Sequence, residues 1–224
     1  MVKTHGKFTF EDFTLEQVWE YDKWYNQGEG HEIGNAQRDC LRRLLGDGNG
    51  RRLLDIGSGT GYFSRWFKSL GFDVTGIDSA PKMVAYAYRD SGPGINYQLA
   101  DASKLPFQND SFDLVVFTTS FEFIDRPEQA LEEAFRVASE EILMLLLNPD
   151  HEMNRKRIEK SHSRPSPFSV AKLRSRNEVV ELMKKAAPEK ASVVPAGCAL
   201  DIPYYFVQSF LSGGGQPCDN PECK

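Results

Sequence analysis

Leu53 to Phe63 reads Leu-Leu-Asp-Ile-Gly-Ser-Gly-Thr-Gly-Tyr-Phe. An apolar run ends in an acid, turns through glycines at every second position, and opens an amphipathic pattern. Gly57, Gly59 and Gly61 let the backbone turn tightly and approach a ligand that any Cβ would push away. The helix that follows presents unpaired N–H groups at its start. Strand, acid, glycine turn and helix together make a site for a nucleotide-type cofactor. A dinucleotide fingerprint, G-x-G-x-x-G, would carry its third glycine at position 62, where Tyr62 stands instead. The early glycine disfavours pyrophosphate binding and, with it, an NAD(P) oxidoreductase.

Three further segments follow in order. Phe72 to Asp78 reads as a second strand ending in an acid, about twenty residues past the glycine turn, where βαβ cofactor folds set a carboxylate against ribose hydroxyls. Asn96 to Ala100 reads as a third strand, followed at once by Asp101, Ala102 and Ser103. Ser111-Phe112-Asp113-Leu114-Val115-Val116 opens a fourth. Taken singly, Asp55 is an ordinary strand-end acid, Asp78 an N-cap before the Ala80-Pro81 helix start, and Asp101 a turn former. Taken together, each acid stands at the carboxyl end of a successive strand, and ligands of open α/β sheets bind in the crevice there.

This ordered set resembles the class I S-adenosylmethionine (SAM) dependent methyltransferases, whose first motif is D-x-G-x-G-x-G. Within that class it is similar to the small-molecule branch that includes ubiquinone-biosynthesis and related type 11 enzymes. The resemblance covers roughly Tyr21 to Leu147. It implies SAM as cofactor, held at the turn by Asp55, Gly57, Ser58, Gly59 and Gly61. It further implies Asp78 on the ribose hydroxyls with Ser79 and Met83 beside it, Asp101, Ala102 and Ser103 at the adenine, and Thr118 at the end of the fourth strand. The aromatic leader around Tyr21, Trp24 and Tyr25 resembles the segment that closes over the cofactor in this family, although core-edge packing would use the same residues. No metal is implied.

Methyl transfer from a sulfonium is an in-line displacement, so the protein must align the partners and exclude water without supplying a covalent group. A general base would help an acceptor of high pKa. Glu122, His151 and His162 are the candidates, each equally readable as a solvated loop residue, and no catalytic residue is assigned. Thr118-Thr-Ser-Phe-Glu122 stands where methylases of nucleic-acid amines carry an Asn/Asp-Pro-Pro-Tyr/Phe segment, which points the resemblance to a small-molecule acceptor. Two other functions remain open: a non-enzymatic SAM-binding regulatory or scaffold protein, and methylation of a soft metalloid by converging thiolates.

The elements that position these residues follow from periodicity. Thr14 to Tyr25 and Asn35 to Leu45 read as helices, forming an N-terminal helical cap over the cofactor site within residues 1–50. Strands at Arg51 to Ile56, Phe72 to Asp78, Asn96 to Ala100, Phe112 to Thr118 and Ile142 to Leu147 alternate with helices at Tyr62 to Leu70, Pro81 to Arg89 and Pro127 to Ala138. Such alternation gives a mostly parallel, Rossmann-like sheet with helices on both faces. Asn148 to Phe168, polar and basic, reads as a lid-like insertion whose Arg155, Lys156, Arg157, Lys160 and Arg164 make a solvated face partly neutralised by Glu152 and Glu159. A helix at Asn177 to Ala187 and strands at Ala191 to Val194 and Pro203 to Leu211 complete a seven-stranded methyltransferase sheet; the last two strands form the antiparallel hairpin of the family. Residues 51–211 thus make one methyltransferase domain.

At 224 residues and a net charge of -5, the chain suits one large domain and lacks the basic excess of a nucleic-acid or anionic-membrane binder. With no signal-peptide or spanning run, the expectation is a cytoplasmic monomer or homodimer. Cys40, Cys198, Cys218 and Cys223 are too scattered for a disulfide framework, so reduced thiols are expected. The Gly- and Pro-rich stretch Ser212 to Lys224 reads as a disordered tail.

Overall fold

The structure is a computed structural model that describes residues 13–164, 166–189, 191–196 and 203–211. Its centre is a seven-stranded sheet in the order β3-β2-β1-β4-β5-β7-β6. The strands are β1 (Arg52–Ile56), β2 (Asp73–Asp78), β3 (Asn96–Leu99), β4 (Phe112–Thr118), β5 (Ala138–Leu147), β6 (Ser192–Ala196) and β7 (Tyr204–Phe210). The first five run parallel. β7 enters antiparallel between β5 and β6, leaving β6 at the edge. The helices are α1 (Leu15–Trp24), α2 (Gly28–Leu45), α3 (Tyr62–Ser69), α4 (Pro81–Asp90), α5 (Pro127–Val137), α6 (Glu152–Ser163) and α7 (Arg176–Ala186).

The central strands are apolar without alternation because both faces of the sheet are covered. Leu114 and Val116 pack into one core with Leu53, Leu143, Leu145 and the buried side of α2 and α3. Val115 and Phe117, pointing the other way, pack with Leu54, Ile56, Ile142, Met144 and the apolar stripes of α5 and α7. Such a frame fixes the carboxyl ends of β1, β2 and β4 against one another, pairing Ile56 with Ile77 on one side and with Phe117 on the other.

Two segments differ from the sequence expectation. α2 begins at Gly28 instead of Asn35. Gly30 and Gly34 sit inside it because the helix crosses closely over α1 and α3: a Cβ on Gly30 would meet the Trp24 ring at 2.6 Å, and one on Gly34 the Tyr62 hydroxyl at 2.7 Å. The polar insertion carries the helix α6 and the 3-10 turn Pro167–Ser169. His151 caps α6, its Nδ1 accepting from the Met153 N–H over 3.2 Å.

Cys40 is buried on α2 and disulfide-bonded, which corrects the expectation of a reduced thiol there and removes it as a thiolate ligand. Cys198, Cys218, Cys223 and the Ser212 to Lys224 tail lie outside the described residues. Among the described residues, no helix is long and apolar enough to cross a membrane.

Candidate active site

The carboxyl ends of β1, β2 and β4 open into a cavity of about 540 Å3. That volume suits a small-molecule site, which runs to roughly 300–1,000 Å3. Gly57 and Gly59 line it, both with positive φ, 74° and 54°, which only glycine adopts without strain. Gly57 has a second reason to lack a side chain, because a Cβ there would lie 2.4 Å from the Ser120 Cβ. At Gly59 the nearest heavy atom would be the Tyr21 ring at 3.9 Å, so its bare backbone faces open space.

Asp78 closes the other side of this turn. Its Oδ2 accepts the Gly59 N–H over 2.9 Å, and its Oδ1 the Ala80 N–H over 2.8 Å. Burial pushes its carboxyl up, opposed by these backbone donors. Each oxygen keeps lone-pair capacity for a ligand hydroxyl. Ser79 and Met83 stand beside it on the cavity wall. Asp101 and Ala102, past β3, also line the cavity. Asp101 accepts the Ser103 N–H at 2.8 Å and the Ser103 hydroxyl at 2.7 Å, and pairs with Arg126. The Ser103 hydroxyl bond, with that pairing, holds its carboxyl below the ordinary range. The turn-forming bonds and a position on the cavity wall therefore coincide at Asp101.

Tyr21 and Tyr25 cover the turn from α1, and Trp24 joins them on the cavity wall. Tyr25 stacks on Tyr62 at 4.3 Å between ring centroids. Tyr21 is partly exposed, and the desolvation of its phenol pushes it up to about 12. Burial likewise pushes the Tyr25 phenol up.

Beneath the glycine turn lies a recess of about 30 Å3, lined by Asp55, Ser58, Thr60, Tyr62 and Thr118 among others. Asp55 Oδ1 and the hydroxyls of Ser58, Thr60, Tyr62 and Thr118 are buried there without a well-formed hydrogen bond among the described residues. Buried polar atoms ordinarily find partners, and of these the Thr118 hydroxyl faces the Asp55 carboxyl. The recess has room for a water. Asp55 Oδ2 is occupied by the Ser64 hydroxyl at 2.6 Å, and burial pushes the carboxyl up to about 7.

The sequence-predicted residues thus divide three ways. Tyr21, Tyr25, Gly57, Gly59, Asp78, Ser79, Met83, Asp101 and Ala102 line the main cavity. Asp55, Ser58 and Thr118 line the recess but not the cavity. Gly61 and Ser103 line neither. A Cβ on Gly61 would meet the Tyr97 hydroxyl at 2.3 Å, so this glycine serves the packing of α3 on the sheet. Ser103 turns its hydroxyl back onto Asp101.

None of the candidate bases lines the cavity. Glu122 is buried, with Oε1 accepting the Leu147 N–H, and burial pushes it up to about 7. His151 caps α6, and His162 is exposed in its last turn.

Sequence reasoning did not reach Thr119, which has a positive φ of 52° at the end of β4, nor Leu147, Phe168 and Tyr204 on the far wall of the cavity. Arg157 stands with these, although Arg155, Lys156, Glu159 and Lys160 on α6 are exposed. The spacing of Asn154, Arg157 and Ser161 marks one polar inward face and was the available signal.

Residues 54–144 match the family of methyltransferase domains of type 11. An uncharacterized protein of Methanocaldococcus jannaschii is 30% identical over 168 residues, covering 74% of this chain and 76% of that protein. The malonyl-[acyl-carrier protein] O-methyltransferase of Serratia marcescens is 38% identical over 104 residues, 45% of this chain and 40% of that enzyme. Among solved structures, a SAM-dependent methyltransferase of Thermotoga maritima, described as a possible histamine N-methyltransferase, superposes with a TM-score of 0.69 at 24% identity, covering 88% of this chain and 98% of that one. With the glycine turn, the acids at the ends of β1 and β2 and this sheet order, the chain belongs to the class I SAM-dependent methyltransferases.

Proposed function

We propose that the protein catalyses methyl transfer from SAM to a small-molecule acceptor. The observation that carries this reading is the continuity of the main cavity. Its wall includes Gly57, Gly59, Asp78, Met83 and Ala102 together with a second group, Trp24, Phe168 and Tyr204, gathered around Arg157. A cofactor against the first group leaves the aromatic group around Arg157 to face an acceptor.

Bound SAM supplies a methyl group on a positively charged sulfur, open to in-line displacement. Asp78 would take the ribose hydroxyls, Asp101 and Ala102 the adenine edge, and the bare backbone at Gly57 and Gly59 the polar amino-acid head. The rings of Tyr21, Tyr25 and Trp24 exclude water and favour a neighbouring cation through their faces. With no histidine on the cavity wall among the described residues, the chain's part is alignment and desolvation.

The aromatic group around Arg157 favours turnover over a purely SAM-binding scaffold, whose cavity would be filled by its cofactor. Homocysteine release should be measured with SAM over a panel of small phenols, amines, thiols and carboxylic acids. Turnover with a subset, giving product heavier by one methylene, is expected. SAM binding without turnover on any acceptor class would favour the scaffold.

A further inference from the structure

The basic cluster of α6 is not uniform. Arg155, Lys156, Lys160 and Arg164 are exposed, and Lys156 pairs with Glu152 at 2.6 Å. Arg157 turns inward. Its guanidinium lies over the Trp24 ring at 5.5 Å and over the Phe168 ring at 5.4 Å, on the wall of the main cavity. Asn154, one turn earlier and fully buried, fixes the helix there. Its Nδ2 donates to the carbonyls of Asn148 at 2.9 Å and Pro203 at 2.7 Å, while its Oδ1 accepts from Arg157 Nη1 at 3.4 Å.

No carboxylate among the described residues pairs with this guanidinium. Asp101 is taken by Arg126, Asp125 by Lys172, and Asp78 by the backbone of the glycine turn. Arg157 also faces Tyr204, whose phenol burial pushes up and Arg157 draws down. A half-buried cation without a counter-ion is unfavourable unless its donors are met. The guanidinium lies over the faces of both flanking rings, and among the described residues its N–H groups meet the long Asn154 bond and the Tyr204 hydroxyl. The planar fork matches a carboxylate or phosphate.

We infer that Arg157 is the recognition residue for an anionic group, carboxylate or phosphate, carried by an acceptor whose planar body lies between the aromatic walls of the cavity. This rests on the methyltransferase reading for the word acceptor; the anion site itself does not.

Protein saturated with S-adenosylhomocysteine should be titrated calorimetrically, at low ionic strength, with benzoate, phenyl phosphate and benzamide. At least one anion should bind about tenfold or more tightly than the neutral amide, as a charged hydrogen-bonded pair requires. Arg157→Gln should reduce that preference to within about twofold and Arg157→Lys should retain part of it, with the affinity for S-adenosylhomocysteine unchanged in both. Preference for benzoate alone assigns a carboxylate, and for phenyl phosphate alone a phosphate. Equal binding of amide and anions, no binding of any probe, or a preference that survives Arg157→Gln overturns the inference and leaves Arg157 a packing residue between two rings. If S-adenosylhomocysteine itself does not bind, the methyltransferase reading fails instead, and the same comparison on the cofactor-free protein decides the anion site.

Discussion

The Gly59 N–H donates to Asp78 Oδ2 over 2.9 Å, tying the glycine turn after β1 to the acid that ends β2. The acid proposed to hold the cofactor is also the acid that shapes the loop beneath it. Asp78→Ala should therefore weaken SAM binding by about 1.5–3 kcal/mol, the range for hydrogen bonds to a charged group. It should also lower Tm, because the Gly59 and Ala80 N–H groups lose their acceptors. Titration and a thermal melt on the same variant check both halves; unchanged SAM affinity would remove Asp78 from the site.

Gly57 and Gly59 share a positive φ but differ in surroundings. Gly59→Ala meets no atom closer than 3.9 Å, so its expected stability cost is the left-handed strain alone, about 1–2 kcal/mol. Cofactor binding should be lost, since the new methyl group enters the cavity. Gly57→Ala drives a Cβ against Ser120 and should cost about 1–3 kcal/mol more. Chemical denaturation of the two variants gives the order; equal stabilities would contradict it.

How far these residues were legible depended on how local their reasons are. The glycine turn, the strand-end acids and the parallel core are written in spacing and apolar runs. Leu114 to Phe117 announces a strand buried on both faces without any knowledge of its neighbours. The role of Gly61 was not legible, because its Cβ is forbidden by Tyr97, which lies in a strand distant along the chain. The rest of the cavity wall was hidden for the same reason: Arg157, Phe168 and Tyr204 come from α6, a short turn and β7, and only the fold brings them beside Trp24 of α1. The early start of α2 was missed because Gly30 and Gly34 read as helix breakers, whereas tertiary closeness to Trp24 and Tyr62 demands them.

Burial pushes Asp55 from an ordinary 3.8, and Glu122 from 4.5, up to about 7 in the folded protein. The folded state then holds these protons after the unfolded chain has released them. Stability from both groups is full below their ordinary values and is lost as pH rises from about 4 to about 7. The Tm of cofactor-free protein should decline across that window, and Asp55→Asn should flatten part of the decline. A slope unaltered by Asp55→Asn would show that this carboxyl titrates normally.

Asn154→Ala should cost about 1–3 kcal/mol, because the carbonyls of Asn148 and Pro203 each lose a donor while keeping a backbone partner. If Asn154 positions Arg157, the variant should also lose preference for anionic probes while binding SAM normally. Urea denaturation and probe titration separate the two effects. Full stability in the variant would mean that α6 is held elsewhere.

The central claim is a SAM site at the carboxyl ends of β1 and β2, and calorimetric titration of the unmodified protein tests it most directly. SAM and S-adenosylhomocysteine should each bind at one site per chain, and NADH should give no saturable heat. Saturable binding of NADH, with no binding of either SAM or S-adenosylhomocysteine, would contradict it.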